Sequence, residues 1–290
     1  MTALLIAALV LFAVPAAARA AAPAADAVVT PPLTRAAEAA AASGAAVVAP
    51  PLARAAQEEE QIETEDGEEE PATPPLRVAP PSKARGATVA RIVAPAFARA
   101  RLDQPRKGRR VGTATAWSGQ SQVLLVLDAA VHEGVEWVQV LLPVRPNGTT
   151  GWIPRDHVTI GRTPYWVEVG LRARTVTVFR GGKRVLRTRA VIGAPRTPTP
   201  TGLAAIYERN RQPDPRAFLG PWALSLTSLS NVLESYGGGP GRVAIHGRAG
   251  RSFADPLGSA RSHGCVRIDN GPINWMARNV PPGTPVRTTR

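Results

Sequence analysis

Alternation of apolar and polar residues with a period of two, the spacing of a half-buried strand, recurs in the second half of the chain. Tyr165 to Val169 and Thr175-Val-Thr-Val-Phe179 alternate, and Lys183 to Ile192 returns after Gly181-Gly182, which together predict a hairpin. Upstream, Ser121 to Asp128, Trp137 to Leu142 and Gly151 to Ile153 read as shorter strands set off by turn residues at Ser118-Gly119, Glu133-Gly134 and Pro146-Asn-Gly148. The apolar run Val243-Ala-Ile245 predicts a strand that delivers His246 at its end. A helical pattern appears near Ile273 to Asn279, with Asp269 or Asn270 available as its cap. The fold class expected is mainly β: a small β-barrel over 86–161, then a β-rich unit over 162–290 with few short helices.

The first 85 residues lack such periodicity. Residues 1–20 hold an apolar run, Leu4 to Val14, and an Ala18-Arg19-Ala20 cleavage pattern, which predict an export signal. Residues 21–85 are rich in Ala, Pro and Glu, with nine carboxylates between Glu58 and Glu70, and predict an extended, self-repelling linker. Residues 1–85 carry six basic and eleven acidic side chains; residues 86–290 carry 29 and 11, a net charge of +18. That basic body suits anionic polymers outside the membrane. Its arginines are scattered and no helix bears a basic stripe, which together with export argues against nucleic acid as partner. Membrane association is expected only through the signal segment, if it is retained.

The one cysteine, Cys265, lies in Arg261-Ser-His-Gly-Cys-Val-Arg267, nineteen positions after His246. An inert buried thiol is the bland reading. It would bury His263 and Arg267 as well, and an unpaired thiol in an exported protein meets oxidants, so an odd cysteine there needs a reason. Zinc needs three or four protein ligands; His132 and His157 lie in another segment, and no paired-cysteine or HExxH pattern occurs. A nucleophile with an imidazole base needs neither metal nor cofactor. His263 has difficulty reaching a sulfur two positions away, so His246 is the expected base. An imidazolium beside the sulfur would draw the thiol pKa from about 8.5 toward roughly 3.5 to 7.5. No histidine follows Cys265, which excludes the papain-like order. Gly247 and Gly264 permit close backbone approach, and the N–H groups of Gly264 and Cys265 are expected to form an oxyanion hole.

The pattern Ile245-His246-Gly247 followed, after a spacer ending at Arg261, by Ser262-His-Gly-Cys-Val-Arg267 resembles the YkuD-type L,D-transpeptidase domain. Val191-Ile-Gly-Ala-Pro195, Thr197-Pro-Thr-Pro-Thr-Gly202 and Pro282-Gly-Thr-Pro-Val286 are similar to further segments of that family, so the resemblance covers about residues 162 to 288. It implies an enzyme acting on peptidoglycan stem peptides. The cysteine attacks the bond between a diamino acid and the following D-alanine, and the acyl group passes from a thioester to an amine of another stem; with water as acceptor the same site is an L,D-carboxypeptidase. A non-catalytic wall-binding protein is the third reading. The resemblance also implies acylation by carbapenem-type β-lactams. By matching position it makes Cys265 the nucleophile, His246 the base, and the Gly247 backbone carbonyl the group orienting the imidazole. His263 then positions substrate or shapes the turn, and Ser262 either contacts substrate or forms the turn through its hydroxyl. Arg267 is a clamp for a substrate carboxylate or an internal salt bridge to Asp269 or another acid. Trp222 borders the cleft or joins the core, and Trp137 and Trp152 line a wall-binding groove or pack inside. The unit over 86–161 bears a weak similarity, through Gly134-Val-Glu-Trp-Val138 and Gly151-Trp-Ile-Pro154, to bacterial Src-homology-3-like barrels.

Overall fold

The computed structural model describes residues 74–290, so the expected signal segment and the linker up to residue 73 lie outside the described residues. Folded structure begins before residue 86. Leu76 and Val78 pack against the first core, and the Leu76 N–H donates to Glu136 at 2.9 Å. The chain from Pro74 to Arg85, which the composition assigned to the linker, is therefore partly bound to the folded unit.

Seven strands form the first sheet, in the order Gly108–Val111, Ala96–Arg99, Thr150–Pro154, Val135–Leu141, Val123–His132, Ala87–Ile92, Val158–Thr163. All its pairings are antiparallel, as expected where connections are short. Leu124, Val126, Val138, Val140 and Ile153 are fully buried at its centre. Trp137 is only 5% exposed, with the Arg99 guanidinium 4.3 Å over its ring. It is mostly packed inside, with its remaining surface on a pocket shared with Leu76 and Arg155; Trp152 is half-buried.

The second sheet has eight strands, in the order Lys183–Arg189, Thr175–Arg180, Tyr165–Gly170, Pro285–Thr289, Gly202–Arg211, Trp222–Leu229, Arg242–His246, Val266–Arg267. The hairpin read from the sequence is present, with Lys183 opposite Arg180. Its return strand stops at Arg189; the Ala190 N–H turns to the Arg174 carbonyl, and Ile192–Gly193 pairs separately with Ala260–Ser262. The helix Asn270–Asn279 packs Ile273, Met276 and Ala277 against Ile206, Leu224, Ile245 and Val266. Asp269 is its N-cap by position, but its side chain makes no cap bond; it pairs with Arg248 at 3.3 Å instead.

The face of the second sheet turned away from the helix meets the first sheet. Ala205 packs with Ala87, Leu125 and Leu141, and Tyr207 joins the first core. Glu208, 1% exposed, accepts hydrogen bonds at 3.2 Å from the N–H groups of Trp117 and Ser118 and from the Ser118 hydroxyl. Burial alone would raise its pKa, but Thr115, Ser118, Asn210 and Trp117 together hold the carboxyl below its ordinary value.

Candidate active site

His246 and Cys265 owe their proximity to two neighbouring strands. Arg242–His246 and Val266–Arg267 run parallel, with Ile245 beside Val266 and His246 beside Arg267. Ile245 and Val266 point into the helix-side core. Strand side chains alternate, so His246 and Arg267 occupy the opposite face, and Cys265, one step before Val266, falls beside Ala244 on that same face.

A short turn presents the cysteine. Gly264 has φ +115°, a value that L side chains rarely adopt. Ser262, 1% exposed, spans the turn: its hydroxyl accepts from the Gly264 N–H at 3.1 Å and donates to the Cys265 carbonyl at 2.5 Å. Thr197 and Thr199 brace it from outside, donating to the carbonyls of Ser262 at 3.0 Å and Gly264 at 2.9 Å. Of the two options for Ser262 its hydroxyl takes the turn-forming one, and one expectation changes, because the Gly264 N–H is already engaged. Among the described residues the Cys265 N–H has no protein acceptor, and it remains the donor available to an oxyanion.

His246 is 1% exposed, and its Nδ1 lies 2.7 Å from the Gly247 carbonyl oxygen. That carbonyl accepts, so Nδ1 carries the proton of the neutral ring and Nε2 is a bare acceptor. Burial pushes the imidazole down to about 4; backbone contacts at Gly247 and Leu219 oppose the shift and Arg267 adds to it. Burial pushes the Cys265 thiol up, against a backbone contact with Ala244 and the charge of Arg267. The residue as a whole keeps partial exposure. Burial thus disfavours the charged form of both groups, where the sequence led us to expect a thiolate–imidazolium pair. Among the described residues no hydrogen bond joins Cys265 to His246; the cysteine's contact is with the backbone of Ala244.

The Arg267 guanidinium reaches Asp255 at 2.5 Å, lies 4.7 Å over the Phe218 ring, and is 3% exposed. Its charge is spent on an internal pair, with Asp255 and not Asp269, and no free fork faces solvent. Arg248 donates to Asp269 and to the carbonyls of Phe253 and Asp255, while Asn270 binds both the N–H and the carbonyl of Arg248. Arg248, Asp255 and Phe218 were not singled out from the sequence, and Asn270 was read only as a helix cap. Only Arg248, two residues after His246, had a positional signal.

Trp222 belongs elsewhere. It shares the parity of Leu224 and packs against the helix-side core, bordering a pocket with Arg211, Pro213 and Asn274. Of its two expected places it takes the core, on the opposite face from His246. His263 is exposed and stacks on Tyr236 with ring centroids 5.2 Å apart. His132 and His157 lie in the first unit, on the strand Val123–His132 and in the turn Arg155–His157.

Residues 164–287 match the family model for the YkuD L,D-transpeptidase catalytic domain. Over 128 residues the chain is 34% identical to the YkuD protein of Bacillus subtilis (strain 168), covering 67% of that protein and 44% of this chain. The chain belongs to the YkuD L,D-transpeptidase family. The YkuD protein of Bacillus licheniformis is 33% identical over 126 residues, covering 66% of that protein and 43% of this chain, so the match spans about two thirds of each relative's length. Among solved structures, an L,D-transpeptidase from Mycobacterium smegmatis aligns with TM-score 0.35 and 16% identity over 62% of this chain and 93% of that one. The ertapenem-acylated catalytic domain of the Enterococcus faecium L,D-transpeptidase aligns with TM-score 0.33 and 22% identity over 44% and 99%. The segment matched to the L,D-transpeptidase family contains His246, Gly247 and the whole Ser262–Arg267 turn.

Proposed function

We propose that this protein is an exported peptidoglycan L,D-transpeptidase in which Cys265 is the nucleophile and His246 the general base. The observation that carries the reading is the shared sheet face, where a neutral imidazole oriented through Nδ1 by the Gly247 carbonyl stands beside the strand that presents the cysteine. On approach of a stem peptide, the thiol proton passes to Nε2 as sulfur attacks the carbonyl of the diamino acid–D-alanine bond. The Cys265 N–H stabilises the oxyanion, and the imidazolium returns the proton to the departing D-alanine nitrogen. The thioester then acylates an amine of a second stem, which gives up its proton to the same ring, and the ring passes it to the Cys265 sulfur as the thioester bond breaks. Arg267 and Asp255 position the imidazole through Phe218, whose ring lies 6.1 Å from that of His246. The seven-stranded unit serves as a wall-side module, similar to Src-homology-3-like barrels, and the basic surface favours encounter with anionic wall polymers.

Incubation with a tetrapeptide stem and an amine acceptor tests this reading. Release of D-alanine with formation of a cross-linked dimer, both lost in Cys265→Ala, is the expected result; free tripeptide without dimer would instead identify an L,D-carboxypeptidase. A carbapenem adduct in the intact mass, absent from the variant, would place acylation at Cys265. A wild-type protein left unmodified, that nevertheless sediments with sacculi, would reduce it to a wall-binding role.

A further inference from the structure

The loop from Ser230 to Gly241 leaves the second sheet beside the cysteine turn and carries little regular structure of its own. Its neck is closed by the Ser230 N–H on the Gly241 carbonyl at 2.8 Å. Its tip is a tight turn, with Tyr236 and Gly239 exchanging backbone hydrogen bonds and Gly237 and Gly238 at φ +58° and +79°. Between neck and tip, the carbonyls of Ser230, Leu233 and Pro240 find their donor in the other unit. Arg145 donates to them at 3.1, 2.9 and 2.9 Å. Asn147 completes the grip, accepting from the Leu229 N–H at 2.8 Å and donating to the Leu229 carbonyl at 2.8 Å and to Asn231 at 3.0 Å. A Cβ at Gly241 would stand 2.1 Å from the Leu233 carbonyl oxygen and 3.3 Å from the Arg145 guanidinium, so the chain there is shaped around the arginine.

What this grip holds in place is Tyr236. Its ring stacks on His263 at an interplanar angle of 29°, and its hydroxyl lies 3.4 Å from His263 Nδ1. His263 is two residues from Cys265 and belongs to the same turn. We infer that Arg145 and Asn147 are positioning residues: the first unit acts on the reaction by holding the Tyr236 loop as one wall of the substrate cleft. The inference rests on the transpeptidase reading and goes beyond it, because it gives the first unit a role in substrate recognition separate from any wall binding. A guanidinium serving three carbonyls suits the task, since its donors diverge from one rigid plane. The hydrogen bonds are charge-assisted, and their loss frees the loop without touching the sheet that carries His246.

The test uses the full chain and a tetrapeptide stem. Arg145→Ala is expected to raise KM about tenfold, the scale of one charge-assisted hydrogen bond, with kcat changed less than about threefold. Arg145→Lys, which keeps the charge and loses the fork, should recover part of that loss. In a Tyr236→Ala background the Arg145→Ala change should add little, because the wall it positions is already missing. Equal effects of Arg145→Ala in both backgrounds would overturn the proposal. Amide hydrogen exchange gives a readout independent of turnover: Val232 to Gly241 should exchange faster in Arg145→Ala while Arg242 to His246 does not. Unchanged exchange in the loop would sink the anchoring alone, and a wild-type chain that turns over no stem would sink the reaction on which it rests.

Discussion

Asp255 neutralises Arg267 from outside the strand that bears it, carboxylate to guanidinium at 2.5 Å, with the arginine side chain 4% and the aspartate 24% exposed. Removing the acid strands a buried cation. Asp255→Ala is therefore expected to lower the unfolding free energy in urea by about 3 kcal/mol, and the double variant Asp255→Ala/Arg267→Met by less. The same single change should slow acyl transfer, because Arg267 then loses its set position over Phe218.

Burial of the thiol makes its own prediction. With its pKa raised by burial, alkylation of Cys265 by iodoacetamide should climb only above the ordinary thiol value of about 8.5. A rate plateau already reached near neutral pH would mean that a thiolate–imidazolium pair exists before substrate arrives.

His246 links stability to pH. Its native pKa of about 4 lies below the ordinary 6.5, so between those values the unfolded chain binds a proton that the native ring refuses. The stabilisation is present above 6.5 and is lost as pH falls to 4, by about 3 kcal/mol. Because His246→Gln lacks this component, the stability difference between wild type and variant should shift by about that amount between pH 7 and pH 4. Urea titrations at both pH values measure it.

Gly247 is hemmed in by neighbours. A Cβ there would lie 2.5 Å from Asn270 Oδ1, 2.9 Å from Pro221 Cδ and 3.2 Å from Ile273 Cγ2. Gly247→Ala should cost about 1 to 3 kcal/mol in thermal or urea unfolding, and its displaced carbonyl should lower kcat as well.

The sequence carried those parts of the site that depend on local pattern. The period-two hairpin from Tyr165, the strand ending at His246 and the glycine turn before Cys265 all follow from spacing a few residues long. Contacts spanning the two units did not: Arg145 meets Leu233 across 88 positions and Glu208 meets Ser118 across 90, and nothing local marks either partner. The Ser262 hydroxyl was legible only as two options, because turn chemistry and substrate contact use the same atom. Trp222 is a different case. Its parity with Leu224 and Leu226 was present in the sequence and already places it on the buried side.

Glu208 sets a limit on how this chain is divided. Three of its hydrogen-bond donors come from the turn at Trp117 and Ser118, and the strand it sits on buries Ala205 and Tyr207 against the first unit. Cutting between Thr163 and Tyr165, where the family match begins, would strand an anion and bare an apolar flank in one stroke. A chain begun at Tyr165 is therefore expected to unfold more readily than one begun ahead of Leu76, since the family match starts inside a folded interface.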